Sequence, residues 1–163
     1  MQQAHAAQGN ALTLNAALVG RTYPPTSPYV VGREKIREFA TAIGDANPAY
    51  HEVEAARALG YADVIAPPTF AFALAQAGTA QAVRDPELGM DYSRVVHGEQ
   101  RFEFARPIVA GDAIVATATI EAIRAVAGND ILTTRIELDT EAGEHVATTY
   151  TVIVARGTAE ESA

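Results

Sequence analysis

Asp45 and His51 bring a carboxylate and an imidazole together in one polar stretch, Gly44-Asp45-Ala46-Asn47-Pro48-Ala49-Tyr50-His51. Such a pair can hold and polarise one water molecule for general acid–base work. An Asp directly after a helix is equally at home as a cap or turn residue, and Asn47-Pro48 is common turn chemistry, so the spacing leaves both readings open. His97, beside Gly98, reads as an exposed or structural strand residue, and His5 and His145 as tail and turn-flanking residues. The chain has no cysteine. That excludes thiolate nucleophiles, thiolate zinc sites and disulfides, and leads to the expectation of a reducing, cytoplasmic setting.

Twenty acidic residues against 12 basic ones give a net charge of -8, a balance that repels nucleic acid and anionic lipid. Neither is expected as a partner. No basic cluster leads into an apolar run near residue 1, and no segment offers the ~20 continuous apolar residues of a membrane span. An acidic carrier protein would need a local basic patch, for which Arg94, Arg101 and Arg106 are the candidates.

Positioning the loop at 44–51 falls to the helices beside it. Ile36, Phe39, Ala40 and Ile43 repeat at helical spacing, charged residues fill the other face, and Gly44 is placed to close the helix with a left-handed cap. Residues 52–59 read as a shorter helix stopped by Gly60. Pro67 and Pro68 then open a helix over 69–84 in which Phe70, Phe72, Leu74 and many alanines leave almost no polar face, so burial on all sides is expected. Gly78 within it permits close packing or a bend. Tyr61, Phe70 and Phe72 are either plain core or the lining of a tunnel.

Residues 22–31 hold three prolines and suit an edge strand. From residue 93 the period drops to two: Gln100, Phe102 and Phe104 alternate with charged residues, and Ile114, Ala116, Ala118 and Ile120 with polar ones. Turns at Gly128-Asn129-Asp130 and Glu141-Ala142-Gly143 separate strands over 131–139 and 145–155, an antiparallel meander. The reading is one α+β domain over 18–156 between flexible tails at 1–17 and 157–163. A curved antiparallel sheet around one buried helix, with extra helices before it, satisfies both periodicities; this is the hotdog fold. Its unpaired sheet edges call for a dimer.

Five segments carry a resemblance. Gly44-Asp45-Ala46-Asn47-Pro48 resembles the G-D-x-N-P-x-H loop of MaoC-like (R)-specific enoyl hydratases, and Phe104-Ala105-Arg106-Pro107 through Gly111-Asp112 resembles that family's F-x-R-P-x-x-x-G-D segment. Gly32 to Glu38, Ala66-Pro67-Pro68-Thr69-Phe70 and Ala127-Gly128-Asn129-Asp130-Ile131 are most similar to the HadA-type subunit of actinobacterial (3R)-hydroxyacyl-ACP dehydratases. The resemblance implies an acyl-CoA or acyl-ACP substrate, no metal or other cofactor, and either a homodimer or a heterodimer with a HadB-type MaoC subunit. Asp45 would polarise the water that adds to C3 of an enoyl thioester, and His51 would assist proton transfer at C2. Asn47, Tyr50, Tyr61, Pro68, Thr69 and Phe70 stand at substrate-binding positions.

The sequence departs from that pattern twice. Tyr50 occupies the histidine position and His51 follows one residue later, which in helical backbone swings a side chain by ~100 degrees. Prolines replace the His-Gly that starts the buried helix in hydratases, and losing one oxyanion donor costs about 3 kcal/mol of transition-state stabilisation. Thr69 and Phe70 are left as the first-turn N–H donors. The functional readings are therefore an (R)-3-hydroxyacyl-thioester dehydratase or hydratase, a non-catalytic acyl-binding subunit that needs a HadB-type partner, and an acyl-CoA thioesterase on the same fold.

Overall fold

The computed structural model describes residues 14–157. Of the tails expected at 1–17 and 157–163, residues 1–13 and 158–163 lie outside the described residues. Residues 14–17, assigned to the tail from sequence, pack onto the domain: Leu14 is buried, its N–H donates to Asp130 Oδ2 at 3.0 Å, and Asn15 caps a 3₁₀ turn over Ala16–Leu18.

Three helices, α1 (Arg33–Ala42), α2 (Val53–Ala58) and α3 (Phe70–Val83), precede four long strands, β2 (Val95–Phe104), β3 (Ala113–Val126), β4 (Asn129–Thr140) and β5 (His145–Ala155). With the short β1 (Tyr29–Val30) these make one antiparallel sheet in the order β1-β3-β4-β5-β2. It curls around α3 in the hotdog arrangement. β3, β4 and β5 form the expected meander. The first hairpin turns one residue earlier than the sequence suggests, with Ala127 and Gly128 both at positive φ, the backbone of a primed two-residue turn.

The edge strand expected over 22–31 is mostly a strap. Pro24, Pro25 and Pro28 lack the donors of a ladder, so only Tyr29–Val30 pairs regularly with β3. The strap still follows β3 closely: Tyr23 N–H donates to Ala118 O, and Thr26 N–H to Ala116 O. Its start is tied to the chain beyond α3 by Asp85, which accepts from both Arg21 and the Tyr23 hydroxyl at 2.8 Å. On the far side, Arg106 pairs through both terminal nitrogens with Asp112, at 2.8 and 3.0 Å, and also with Glu144. The R-P-x-x-x-G-D segment is thus an ion-paired clasp holding the chain before β3 to the β4–β5 hairpin.

α3 lies on the concave face of the sheet. Phe70, Ala71, Leu74, Ala75, Gly78, Thr79, Ala82 and Val83 are buried, the stripe made by spacings of three and four. Ala73, Gln76 and Ala77 on the opposite face are exposed, which corrects the expectation of burial on all sides: a sheet covers a helix from one side. Gly78 marks the closest approach, since a Cβ there would stand 3.4 Å from Ala116 Cβ, 3.5 Å from Ile136 Cγ2 and 3.6 Å from Ala118 Cβ. No helix among the described residues is long and apolar enough to cross a membrane.

Two outcomes follow. Gly78→Ala fills the remaining contact distance and is tolerated, whereas Gly78→Leu overpacks the helix–sheet seam and costs roughly 1–3 kcal/mol, read as a lower Tm in thermal unfolding. Burial and the hydrogen bond to Asp85 push the Tyr23 hydroxyl up to about 12 from its ordinary 10.0. The fold therefore favours the neutral phenol, so this contribution to stability is complete below pH 10 and is lost as pH rises through about 12. Alkaline unfolding curves of Tyr23→Phe should lack that component.

Candidate functional site

The polar loop after α1 is built by helix capping. Gly44 takes φ +72°, Gly44 N–H donates to Thr41 O and Asp45 N–H to Ala40 O, the paired bonds of a Schellman ending. Asp45 Oδ1 then accepts from Asn47 N–H at 3.1 Å, and Asn47 Oδ1 accepts from Ala49 N–H at 3.1 Å, which opens a 3₁₀ turn over Pro48–Tyr50. The side chains of Asp45 and Asn47 are each engaged in holding the next bend.

His51 closes the loop on itself. Its Nε2 lies 3.0 Å from the main-chain carbonyl of Asp45; since a carbonyl only accepts, that nitrogen carries the proton and donates. The His51 carbonyl in turn accepts from Arg37 Nε of α1 at 2.8 Å. The structure thus brings Asp45 and His51 together, with the imidazole on the aspartate's backbone rather than on its carboxylate. Tyr50, which stands where hydratases carry histidine, points inward and packs in the core with Ile36, Val64 and Phe70.

At the start of α3, Pro67 is buried while Pro68 and Thr69 are exposed. Phe70 N–H donates to Pro67 O at 2.9 Å, Ala71 N–H to Pro68 O at 3.2 Å and Phe72 N–H to Thr69 O at 3.1 Å. This corrects the expectation of a free donor at Phe70, because the tight first turn has used it. Tyr61 is half-buried beyond α2, whose own ending repeats the cap of α1 with Gly60 N–H on Arg57 O and Tyr61 N–H on Ala56 O. Nearby, Arg33 grips both oxygens of Asp63 at 2.6–3.1 Å, and its guanidinium holds that carboxyl below the usual range.

A sizeable cavity lies elsewhere. A cleft of about 590 Å³ opens between the strap at Thr26–Tyr29, Lys35 and Phe39 of α1, and Phe70, Ala73, Leu74 and Ala77 of α3, with Ile114 of β3 also lining it. That is the size of an ordinary small-molecule site. Phe39 and Phe70 meet edge to face with centroids 5.3 Å apart, and Lys35 at the rim pairs with Glu38. Of the eight site residues named from sequence, only Phe70 lines this cleft. Phe72 instead lies against His97, their rings 5.5 Å apart. Sequence reasoning missed Phe39, Ala73 and Ala77. The signal was present in alanines four apart on the α3 face opposite Ala71, Ala75 and Gly78.

The basic patch expected from Arg94, Arg101 and Arg106 is also corrected. Arg94 lies 3.6 Å from Asp91 and donates to Gly157 O, Arg101 pairs with Glu103 and lies 3.8 Å over the Tyr150 ring, and Arg106 is held by Asp112 and Glu144. Each charge is answered within the chain.

Comparison with known proteins gives a consistent picture. Residues 17–149 match the family model of the FAS1-like dehydratase domain region. A UPF0336 protein of Streptomyces coelicolor is 61% identical over 149 residues, which are 91% of this chain and 99% of that protein. Among solved structures, a MaoC-like dehydratase superposes with a TM-score of 0.80 at 38% identity, over 86% of this chain and 42% of that one, so this chain spans less than half of that protein's length. A chain from the HadBC (3R-hydroxyacyl-ACP dehydratase) complex of Mycobacterium tuberculosis superposes with a TM-score of 0.76 at 34% identity, over 88% of this chain and 99% of that one.

Proposed function

Because the chain belongs to the FAS1-like dehydratase domain family, we propose that it is the acyl-holding subunit of a (3R)-hydroxyacyl-thioester dehydratase, paired with a MaoC-type subunit that supplies the catalytic Asp-His dyad. The reaction removes a proton from C2 and the hydroxyl from C3 as water, giving the trans-2-enoyl thioester; hydration is its reverse. The observation that carries the assignment is that the open apolar cleft on α3 is lined by no residue of the polar loop, where Asp45 Oδ1 and His51 Nε2 bond to the loop's own backbone. A general base must have a lone pair aimed at substrate; Asp45 does not line the cleft, and its Oδ1 accepts from Asn47 N–H.

Pairing has a structural basis in β2. It bonds to β5 on one side only, and its other edge has no strand partner among the described residues. Val96 and Phe104 on it are 43% and 38% exposed. An open strand edge carrying apolar side chains favours addition of another strand. The HadBC structure is itself a two-subunit complex, which supports the same arrangement here. Within this reading Pro68 and Thr69, exposed next to Phe70 at the start of α3, and Tyr61 are proposed to meet the substrate outside the cleft, while Asn47 and Tyr50 hold the loop between α1 and α2.

The test is hydration of crotonyl-CoA, followed by loss of enoyl-thioester absorbance. The chain alone should show no turnover, and turnover should appear on adding a MaoC-type subunit with an intact G-D-x-N-P-x-H loop. Asp45→Asn keeps the turn's acceptor oxygen and should leave turnover by the pair within about twofold. Turnover by the chain alone, abolished by Asp45→Asn, would instead assign Asp45 and His51 as a self-sufficient dyad in a homodimer.

A further inference from the structure

We propose that the exposed face of α3 beyond the acyl cleft is the seat of a phosphopantetheine arm, with Arg84 receiving its phosphate; this rests on the reading of the cleft as an acyl site. A second depression, of about 320 Å³, adjoins the cleft and is lined by Gln76, Ala77, Ala80, Arg84 and Tyr92 among others. Ala77 borders both. The two make one groove along the helix, apolar at its start and polar at its end.

Charge distinguishes that end. Arg21, Arg33, Arg37, Arg57, Arg94, Arg101, Arg106 and Arg135 each pair with a carboxylate, whereas Arg84, Arg124 and Arg156 have no ion pair among the described residues, and of these three only Arg84 lines the groove. The acids nearest it in sequence are already engaged. Asp85 holds Arg21 and Tyr23, Glu87 holds Arg21, and Asp91 holds Ser93 and Arg94. Arg84 therefore presents an unanswered positive charge in a chain of net charge -8. Its planar fork suits two phosphate oxygens at once, and the Tyr92 hydroxyl beside it, on a residue 65% exposed, offers a further donor.

Length and polarity agree with this occupant. From Arg84 back to Ala73 the helix rises about 16 Å at ~1.5 Å per residue, comparable with the reach of an extended pantetheine from its phosphate to its sulfur. The exposed Gln76 carboxamide lies where the arm's amides would pass. Ala73 and Ala77 leave room for the thioester to enter the cleft, where Phe39, Phe70 and Leu74 meet the acyl chain.

The experiment is calorimetric titration of the wild type and Arg84→Gln with crotonyl-phosphopantetheine and with crotonyl-pantetheine, which differ only in the phosphate. The wild type should bind the phosphorylated compound roughly tenfold tighter, in line with a charge-assisted contact. Arg84→Gln should erase that preference, leave crotonyl-pantetheine affinity unchanged and melt at the wild-type temperature. The same loss is expected with crotonyl-CoA and with a crotonyl-loaded acyl carrier protein, and the tighter of the two identifies which bears the arm. A phosphate preference that survives Arg84→Gln, or none in the wild type while crotonyl-pantetheine still binds, overturns the proposal and leaves the acyl site standing. No thioester bound at all overturns both.

Discussion

α3 can lie as close to the sheet as it does because Gly78, Ala116 and Ala118 put almost nothing between the two backbones. That short separation fixes the rest of the concave side. It brings Phe70 and Leu74 down against the core while their outer surfaces, with Ala73 and Ala77, form the wall of the cleft. Each large apolar side chain so buried contributes roughly 1.5–3 kcal/mol. The same small residues that let the helix approach the sheet recur on its other face, where they leave a channel instead of a contact.

The polar loop between α1 and α2 obeys a different constraint. A helix that ends must satisfy its last carbonyls, and here the Schellman ending at Gly44 sets the direction of the chain at Asp45. Asp45, Asn47 and His51 then stabilise successive turns of the same loop. One oxygen of Asp45 and one ring nitrogen of His51 are thereby engaged with backbone groups, and neither residue lines the cleft. This supports a division of labour in which this chain holds the acyl group and a partner supplies the chemistry.

Much of this was legible in the sequence. The helix expected over 69–84 is Phe70–Val83, with Thr69 and Arg84 as its caps, because prolines and the apolar run leave little freedom at either end. The period-two pattern of β3 holds through Ile120 and then shifts at a bulge between Ile120 and Ala122, returning as Ile123. Periodicity states which face a residue takes, not which strand lies beside it, so the pairing of β2 with β5 could not be read. Nor could the direction of His51, which depends on where a neighbouring carbonyl falls, or the freedom of Arg84, which depends on which acids fold back onto other bases.

The most direct measurement is the affinity of the chain alone for acyl thioesters of increasing length, in the wild type and in Ala73→Leu, which narrows the cleft wall. If the α3 cleft holds the acyl chain, wild-type affinity should climb by about threefold to fourfold per added methylene until the cleft is full, and Ala73→Leu should flatten that climb. Affinity independent of chain length, or a climb that Ala73→Leu leaves intact, would contradict the account.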